Sequence, residues 1–416
     1  MKIDLLILIA IGICSACNKN GGDSSSAKDS DVNDFEVVRY APVPLTKEVD
    51  KKVYVHLMPW FEDKTTNDVP GKWGQHWTMN TKNPDILTAT GKREIAAHFY
   101  PLTGPYASGD ADIIEYQLLL MKLSGIDGVL IDWPGITRLY DYPLLVRNTE
   151  KIIDKIKDVG LKFAVVYEDQ NINIAFNNKV ISDKITAAKK DMAYVSANYF
   201  SKDSYIKEGD APLLLVFGPQ TFETEAEWTQ IFSGLNPKPS FYTLWNESHE
   251  AGSHARGEFA WVYKNHVHDL QAFYNKTYNG TKMASAYPGF QAFYTEGGWG
   301  TNPFHITTSL ETFLTTLDLA LQHAAPSLQL VTWNDYGEGT MLEPTQEFGF
   351  SFLTSLQQKL KVKAIQEKDL QMVLQLYQYR QKRKTLPAVQ KKLDQVFYYL
   401  VALKLEEAEK LLSTIE

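Results

Sequence analysis

Eight short apolar runs that alternate with longer segments of helical period predict an α/β chain, a (β/α)8 TIM barrel with extra C-terminal helices. The runs cover residues 53–60, 128–133, 162–169, 212–218, 241–245, 259–263, 282–287 and 328–333. They are rich in Val, Leu and Ile and do not alternate with polar residues, as expected of parallel strands covered on both faces. Between them, residues 112–124 carry Ile113, Tyr116, Leu120 and Leu123 at helical spacing, and further helices are expected over 142–159, 183–199, 225–232, 265–278 and 309–324. Gly125 and Gly160 stand where helices end ahead of the next strand, the place of a C-terminal cap. An open doubly wound sheet is the competing architecture, but no glycine-rich phosphate fingerprint follows the first run.

The chain opens with Lys2, an apolar stretch from Leu5 to Ile13, and Ser15-Ala16-Cys17. This reads as a secretory signal of lipoprotein type over residues 1–17, with Cys17 the lipidated first residue of the mature chain. Cys14 takes the place usually held by Leu, and a plain signal peptide cut nearby is the alternative. The stretch is too short for a spanning helix. Residues 18–35 are polar and rich in Gly, Ser and Asp, a flexible tether that cannot bury a core. The expected location is a bacterial outer membrane, reached through the lipid anchor alone, on either its periplasmic or its external face. Cys14 and Cys17 are the only cysteines, so a cut at Cys17 leaves no disulfide, thiol nucleophile or cysteine–zinc site in the folded body. A net charge of -8 with a pI near 5.7 argues against nucleic acid as a partner.

Residues 36–356 are assigned to the barrel and 357–416 to a helical extension packed on it. Residues 350–365 supply the last barrel helix, and 368–384 and 388–412 two more, broken at Leu386-Pro387. Leu393, Val396, Phe397, Leu400 and Leu403 form the apolar stripe of the last helix, and the basic run 380–384 reads as a solvated helix end.

A barrel places its chemistry at the C-terminal ends of its strands. Those ends carry Trp60 and Glu62, Asp132 and Trp133, Glu168 and Asp169, Trp245 to Glu247, Tyr287, and Asn334, Asp335 and Glu338. The long first connection, 61–111, contains Trp73, Gln75, His76, Trp77, His98, Phe99 and Tyr100 and is read as part of a binding cleft. The densest cluster is V-T-W-N-D-Y-G-E-G-T-M-L-E-P over 331–344, where Asp335 and Glu338 are separated by two residues and Gly337 and Gly339 let the backbone turn. A D-x-x-E spacing by itself usually marks two ordinary surface acids. Two carboxyls close together in an aromatic pocket are, however, what acid/base cleavage of a glycosidic bond needs. Glu338 then requires a raised pKa and Asp335 stays ionised. Trp333, Tyr336 and Trp133 are candidate aromatic walls, Asn334 a donor to a sugar hydroxyl, and Glu168 and His98 groups that orient other hydroxyls.

The blocks A-H-F-Y-P-L-T-G-P-Y at 97–106 and W-N-D-Y-G-E-G at 333–339, with L-E-P at 342–344, resemble glycoside hydrolase family 99, endo-acting α-mannosidases and α-mannanases on a (β/α)8 barrel. Tyr287-Pro-Gly-Phe290 is similar to that family's P-G-Y turn, and Gln75-His-Trp77 and Glu168 fall at matching places. The resemblance implies an α-linked glycan substrate, α-mannan above others, cut at internal bonds without metal or organic cofactor. It implies Glu338 as general acid/base. Asp335 stands where the family has the glutamate that deprotonates the sugar 2-hydroxyl. The expected substrate contacts are Trp60, His76, Trp77, His98, Tyr100, Asp132, Trp133, Glu168, Tyr287, Asn334 and Tyr336. Aspartate is one methylene shorter, and W-N-D-Y-G-E is the form of the related family 71, α-1,3-glucanases. A retracted carboxylate leaves room for a water and admits inverting hydrolysis.

Rival chemistries find little support. His266 and His268 are the one close histidine pair, and two residues apart on a helix they share no face for a metal. No G-x-S-x-G elbow is present. A glycan-binding lipoprotein that keeps the cleft without catalysis is the rival that Asp335 admits. A monomer is expected.

Overall fold

The computed structural model describes residues 35–415. The signal segment, Cys17 and the tether up to residue 34 lie outside the described residues. Eight parallel strands form the sheet: β1 Lys52–Leu57, β2 Gly128–Trp133, β3 Lys162–Tyr167, β4 Ala211–Val216, β5 Ser240–Leu244, β6 Ala255–Phe259, β7 Thr281–Ala286 and β8 Ser327–Leu330. Each pairs with the next in order, and β8 returns to β1 through Lys52↔Ser327 to Val55↔Leu330, which closes the barrel. A two-residue strand, Lys207–Glu208, adds antiparallel to the start of β4.

The helices lie between the strands as their apolar spacing requires. α1 Ala111–Leu123 is capped by Asp110, whose carboxylate accepts the Asp112 and Ile113 N–H groups. α2 Tyr142–Val159 ends on Gly160 at φ 83°, where a Cβ would also press on Pro42 at 2.8 Å. α3 Lys184–Val195 runs on into a π-turn at Ser196–Phe200. α4 Glu225–Ile231, α5 Val267–Asn275, α6 Leu310–Gln322 and α7 Ser351–Leu360 complete the outer layer.

Two boundaries differ from the sequence reading. β6 occupies Ala255–Phe259 rather than 259–263. Its first four residues, Ala-Arg-Gly-Glu, carry no apolar run. Gly257 is needed there because the ring of Tyr242 on β5 lies where its Cβ would stand. The apolar residues Ala260 to Val262 have therefore already left the ladder. The C-terminal extension also holds three helices, α8 Glu367–Lys382, α9 Pro387–Val401 and α10 Leu405–Leu412. Leu403, at φ 57°, turns the chain where a single long helix was expected.

α8 packs on α1. Arg380 is buried between them, its Nε donating to Glu115 at 2.6 Å and its Nη1 to Asp394 at 2.9 Å. At this residue the expected solvated helix end is instead a buried Arg380–Glu115 ion pair, with the more exposed Asp394 at its rim. The segment before β1 ties this extension down, with Val38 N–H donating to Gln395 and Val43 N–H to the Val401 carbonyl. Among the described residues no helix is long and apolar enough to cross a membrane.

Candidate active site

After Leu330 the chain folds as a loop against the end of β1. Trp333 N–H donates to the His56 carbonyl at 2.6 Å. The Asn334 amide clasps the Met58 peptide, accepting its N–H at 2.9 Å and donating to its carbonyl at 3.0 Å. Under the loop, the fully buried Glu343 accepts from Tyr106 Oη, Tyr336 Oη and Gln117 Nε2, each at 2.8 Å. On the upper side, Thr332 Oγ1 accepts the Asp335 N–H at 2.8 Å and Asp335 Oδ1 accepts the Glu338 N–H at 3.0 Å. Gly339 closes this turn at φ 67°, with the Gln291 carbonyl 2.8 Å from where a Cβ would sit. The turn presents Asp335 and Glu338 side by side.

Both carboxyls line a cavity of about 510 Å³ at the C-terminal mouth of the barrel. Asp132 from the end of β2 and Glu168 from just beyond β3 join them there, and no Lys or Arg is among the lining residues. A second cavity, of about 520 Å³, opens at the opposite end of the barrel among Lys47, Lys52, Lys122 and Lys162. Its Asp127 is held by Lys47 in an ion pair, and it lacks the paired free carboxyls of the upper mouth.

The lining holds five carboxyls, Asp141 being the fifth, and they cannot all ionise together. Burial pushes Glu338 up to about 7, and the charge of Glu168 adds to that rise. The hydroxyl of Tyr294, donating to Oε1 at 2.9 Å, and the nearby indole of Trp261 pull it back. Glu338 Oε2 is buried with no hydrogen-bond partner. Asp335 is pushed well above the carboxylate range by burial first and by Glu338 second, against the N–H groups of Glu338 and Gly337. The expectation that Asp335 simply stays ionised is thus corrected: it draws on the same protons as Glu338. Asp132 and Glu168 are hydrogen-bonded carboxyl to carboxyl, which takes a proton between them. Burial, then the Glu168 charge, places that proton on Asp132. Gln170 Nε2 steadies Glu168 at 2.8 Å.

Six of the expected residues meet in this cleft: Trp60, His76, Asp132, Glu168, Asp335 and Glu338. Trp60 lies flat on His76, with ring centroids 4.4 Å apart and planes at 8°. Burial pushes His76 down to about 3, so the ring is neutral.

The other expected contacts lie elsewhere. Trp133 is fully buried against Tyr167, Tyr194 and Tyr199, because side chains alternate across a strand and Asp132 takes the inward position. Trp77 is buried under the loop, its Nε1 donating to the Tyr106 carbonyl at 2.7 Å. Tyr336 is buried on Glu343, and Asn334 spends its amide on the Met58 peptide and on Tyr106 Oη at 3.1 Å. Tyr287 is buried beside His266 at 3.2 Å. His98 approaches the Ala292 carbonyl at 3.3 Å and packs on Phe293, and Tyr100 braces Glu347 and the Arg93 N–H. None of these seven is a lining residue of the cleft. Trp333 is also fully buried, so the aromatic walls come from other positions.

Those walls are Trp261, Tyr294, Phe217, Tyr142 and Trp299, with His56 in the floor. Trp261 had a sequence signal, since it would stand at a strand end had β6 been placed four residues earlier. Tyr294 and Trp299 lie in the loop between β7 and β8, where neither period nor motif singles them out.

The fold is shared with solved structures at low sequence identity. Two structures of a GH99 endo-alpha-mannosidase from Bacteroides thetaiotaomicron are 16% identical, one with a TM-score of 0.59 over 76% of this chain and 98% of that one. The other, in complex with bis-tris propane, has a TM-score of 0.58 over 75% and 97% of the two chains. A structure described as a glycoside hydrolase-like protein is 11% identical, with a TM-score of 0.55 over 77% and 97%. No protein-family model and no curated protein matches the sequence. The resemblance expected from the motifs is therefore present in the fold.

Proposed function

We propose that this protein is a glycoside hydrolase that cleaves an uncharged, α-linked glycan, of α-mannan type and at internal bonds, with Glu338 as general acid/base and Asp335 as the second carboxylate. One observation carries the reading. A single turn holds both carboxyls side by side, and both line the cleft at the mouth of the barrel. With a pKa near 7, Glu338 is protonated in about half of the molecules at neutral pH, and the reactive form is the one in which the proton it shares with Asp335 sits on Glu338 and Asp335 is ionised. As the C1–O bond breaks, the Glu338 proton passes to the leaving oxygen. Asp335 takes the proton of the attacking oxygen, which belongs to the sugar 2-hydroxyl or to a water. The absence of Lys and Arg from a lining with five carboxyls supports an uncharged substrate, since an anionic sugar would meet only like charge.

The shorter Asp335 supports a second reading, inverting cleavage of an α-1,3-glucan through water. The non-catalytic alternative, glycan binding alone, is disfavoured by the pair of carboxyls that one turn holds on the cleft wall. We further assign Cys17 to a lipid anchor on the sequence pattern; palmitate labelling lost in Cys17→Ser supports that anchor, and a protein without label overturns it.

A digestion panel of α-mannan beside α-1,3-glucan and other α-glucans, followed by proton NMR of the first anomer released, tests the reading. Cleavage of α-mannan with retention supports the route through the 2-hydroxyl, and cleavage with inversion the route through water. Binding without cleavage of any polymer overturns catalysis.

A further inference from the structure

The barrel interior carries a polar chain that the mechanism above does not use. His56 on β1, Gln329 on β8 and Ser285 on β7 are 1%, 0% and 0% exposed, in a layer that branched aliphatic side chains usually fill. His56 Nε2 and Gln329 Oε1 are 2.6 Å apart. Gln329 Nε2 donates to the Ala260 carbonyl and to Ser285 Oγ, the latter at 3.2 Å, while Ser285 Oγ donates to the same carbonyl at 2.8 Å. With its NH₂ committed to two acceptors, the Gln329 amide has only its oxygen to offer His56. His56 Nε2 therefore carries the hydrogen, and burial pushes the ring down to about 4, so it stays neutral.

The chain ends on Trp261. The peptide before it is pinned through Ala260. Its indole meets His56 edge-on, with centroids 4.9 Å apart at 87°, and Phe217 at 4.9 Å and 80°. On its other side it shares the cleft wall with Glu338. Buried polar groups cost stability relative to apolar side chains of the same volume, but a fully paired network enforces one geometry.

We propose that the His56–Gln329 pair is a positioning device, which fixes Trp261 and through it the carboxyl of Glu338. The inference rests on the reading of Glu338 as the acid. The Trp261 indole favours ionised Glu338, so a displaced indole moves the titration of Glu338 upward.

The test is the double variant His56→Leu/Gln329→Leu beside its two single variants and Trp261→Phe. Each single variant strands a buried partner and lowers Tm. The double variant leaves the Ala260 carbonyl with Ser285 and recovers most of that loss. In the double variant, carbon-13 NMR of labelled glutamate shows the Glu338 midpoint displaced upward. On the polymer identified by the digestion panel, kcat falls about tenfold with KM little changed. A double variant with wild-type midpoint and kcat overturns the proposal. Trp261→Phe keeps both members of the His56–Gln329 pair and must displace the midpoint in the same direction; an unmoved midpoint there overturns the proposal whatever becomes of the other variants. The titration needs no substrate, so failure of the wild type to cleave any glycan counts against the proposed function and leaves this test standing.

Discussion

The loop after β8 has two faces, and a buried glutamate sits on each. Glu343 on the underside and Glu338 on the cleft side are both pushed up to about 7, with burial the largest cause in each case. They differ in what surrounds them. Glu343 has three donors, at 2.8 Å each, from Tyr106, Tyr336 and Gln117. Glu338 has Tyr294 on one oxygen, the Trp261 indole nearby, and a cavity in front of it. A shifted pKa alone therefore does not separate a catalytic acid from a structural one. Access to the cleft does separate these two, since Glu338 lines the cavity and Glu343 does not.

The sharpest way to break this contrast is to neutralise each glutamate in turn. Glu338→Gln should lower kcat on the cleaved polymer by at least about a thousandfold while glycan affinity by calorimetry survives; unchanged turnover removes Glu338 as the acid. Glu343→Gln should act instead on the fold. It replaces an acceptor with a group that is half donor, facing three donors, and should cost about 2 kcal/mol of stability in denaturant titration. Turnover per folded molecule should fall far less than in Glu338→Gln, and a comparable fall would erase the distinction.

Linkage gives the next test. Both glutamates bind protons more tightly in the folded chain than at the ordinary carboxylate value of 4.5. The native state therefore holds more protons than the unfolded one between about pH 4.5 and 7, and stability falls as pH rises through that window. Their contribution should make Tm higher near pH 5 than near pH 7.5, and Glu338→Gln should flatten the slope. A slope unchanged in that variant would deny Glu338 its raised pKa.

Two smaller effects sharpen the cleft side. The Glu168 charge helps hold the proton on Glu338, so Glu168→Gln should move the basic limb of kcat/KM to lower pH by a fraction of a unit. Movement to higher pH would reverse the assigned electrostatics. Trp299, at 39% exposed the most open wall of the cleft beside Tyr140, is placed to stack on a sugar ring. Trp299→Ala should raise KM about three- to tenfold with kcat nearly unchanged.

Much of this was legible in the chain itself. The eight apolar runs located seven strands within a few residues, because a parallel strand buried on both faces is apolar throughout. The eighth, β6, was displaced because Arg256, Gly257 and Glu258 carry no apolar run. The D-x-x-E pair was legible because the turn that aligns Asp335 and Glu338 is local, closed by Thr332 Oγ1 and Gly339 within the same few residues.

The sidedness of the remaining residues was not. Trp133 beside Asp132 and Asn334 beside Asp335 are equivalent in sequence, polar or aromatic residues at a strand end. Only the inward turn of Asp132 in the closed barrel sends Trp133 into the helical layer, and only the approach of Met58 claims the Asn334 amide. Trp261, Tyr294 and Trp299 reach the cleft on loops that share no period with the turn that carries Asp335 and Glu338.

Local periodicity and composition thus determined the barrel, the mouth that holds the candidate site, and the two acids of one turn. Which neighbours face those acids, which lie buried behind them, and how far each carboxyl holds its proton were decided by closure of the sheet. Burial and through-space charge depend on residues far apart in the chain, and no stretch of sequence contains them.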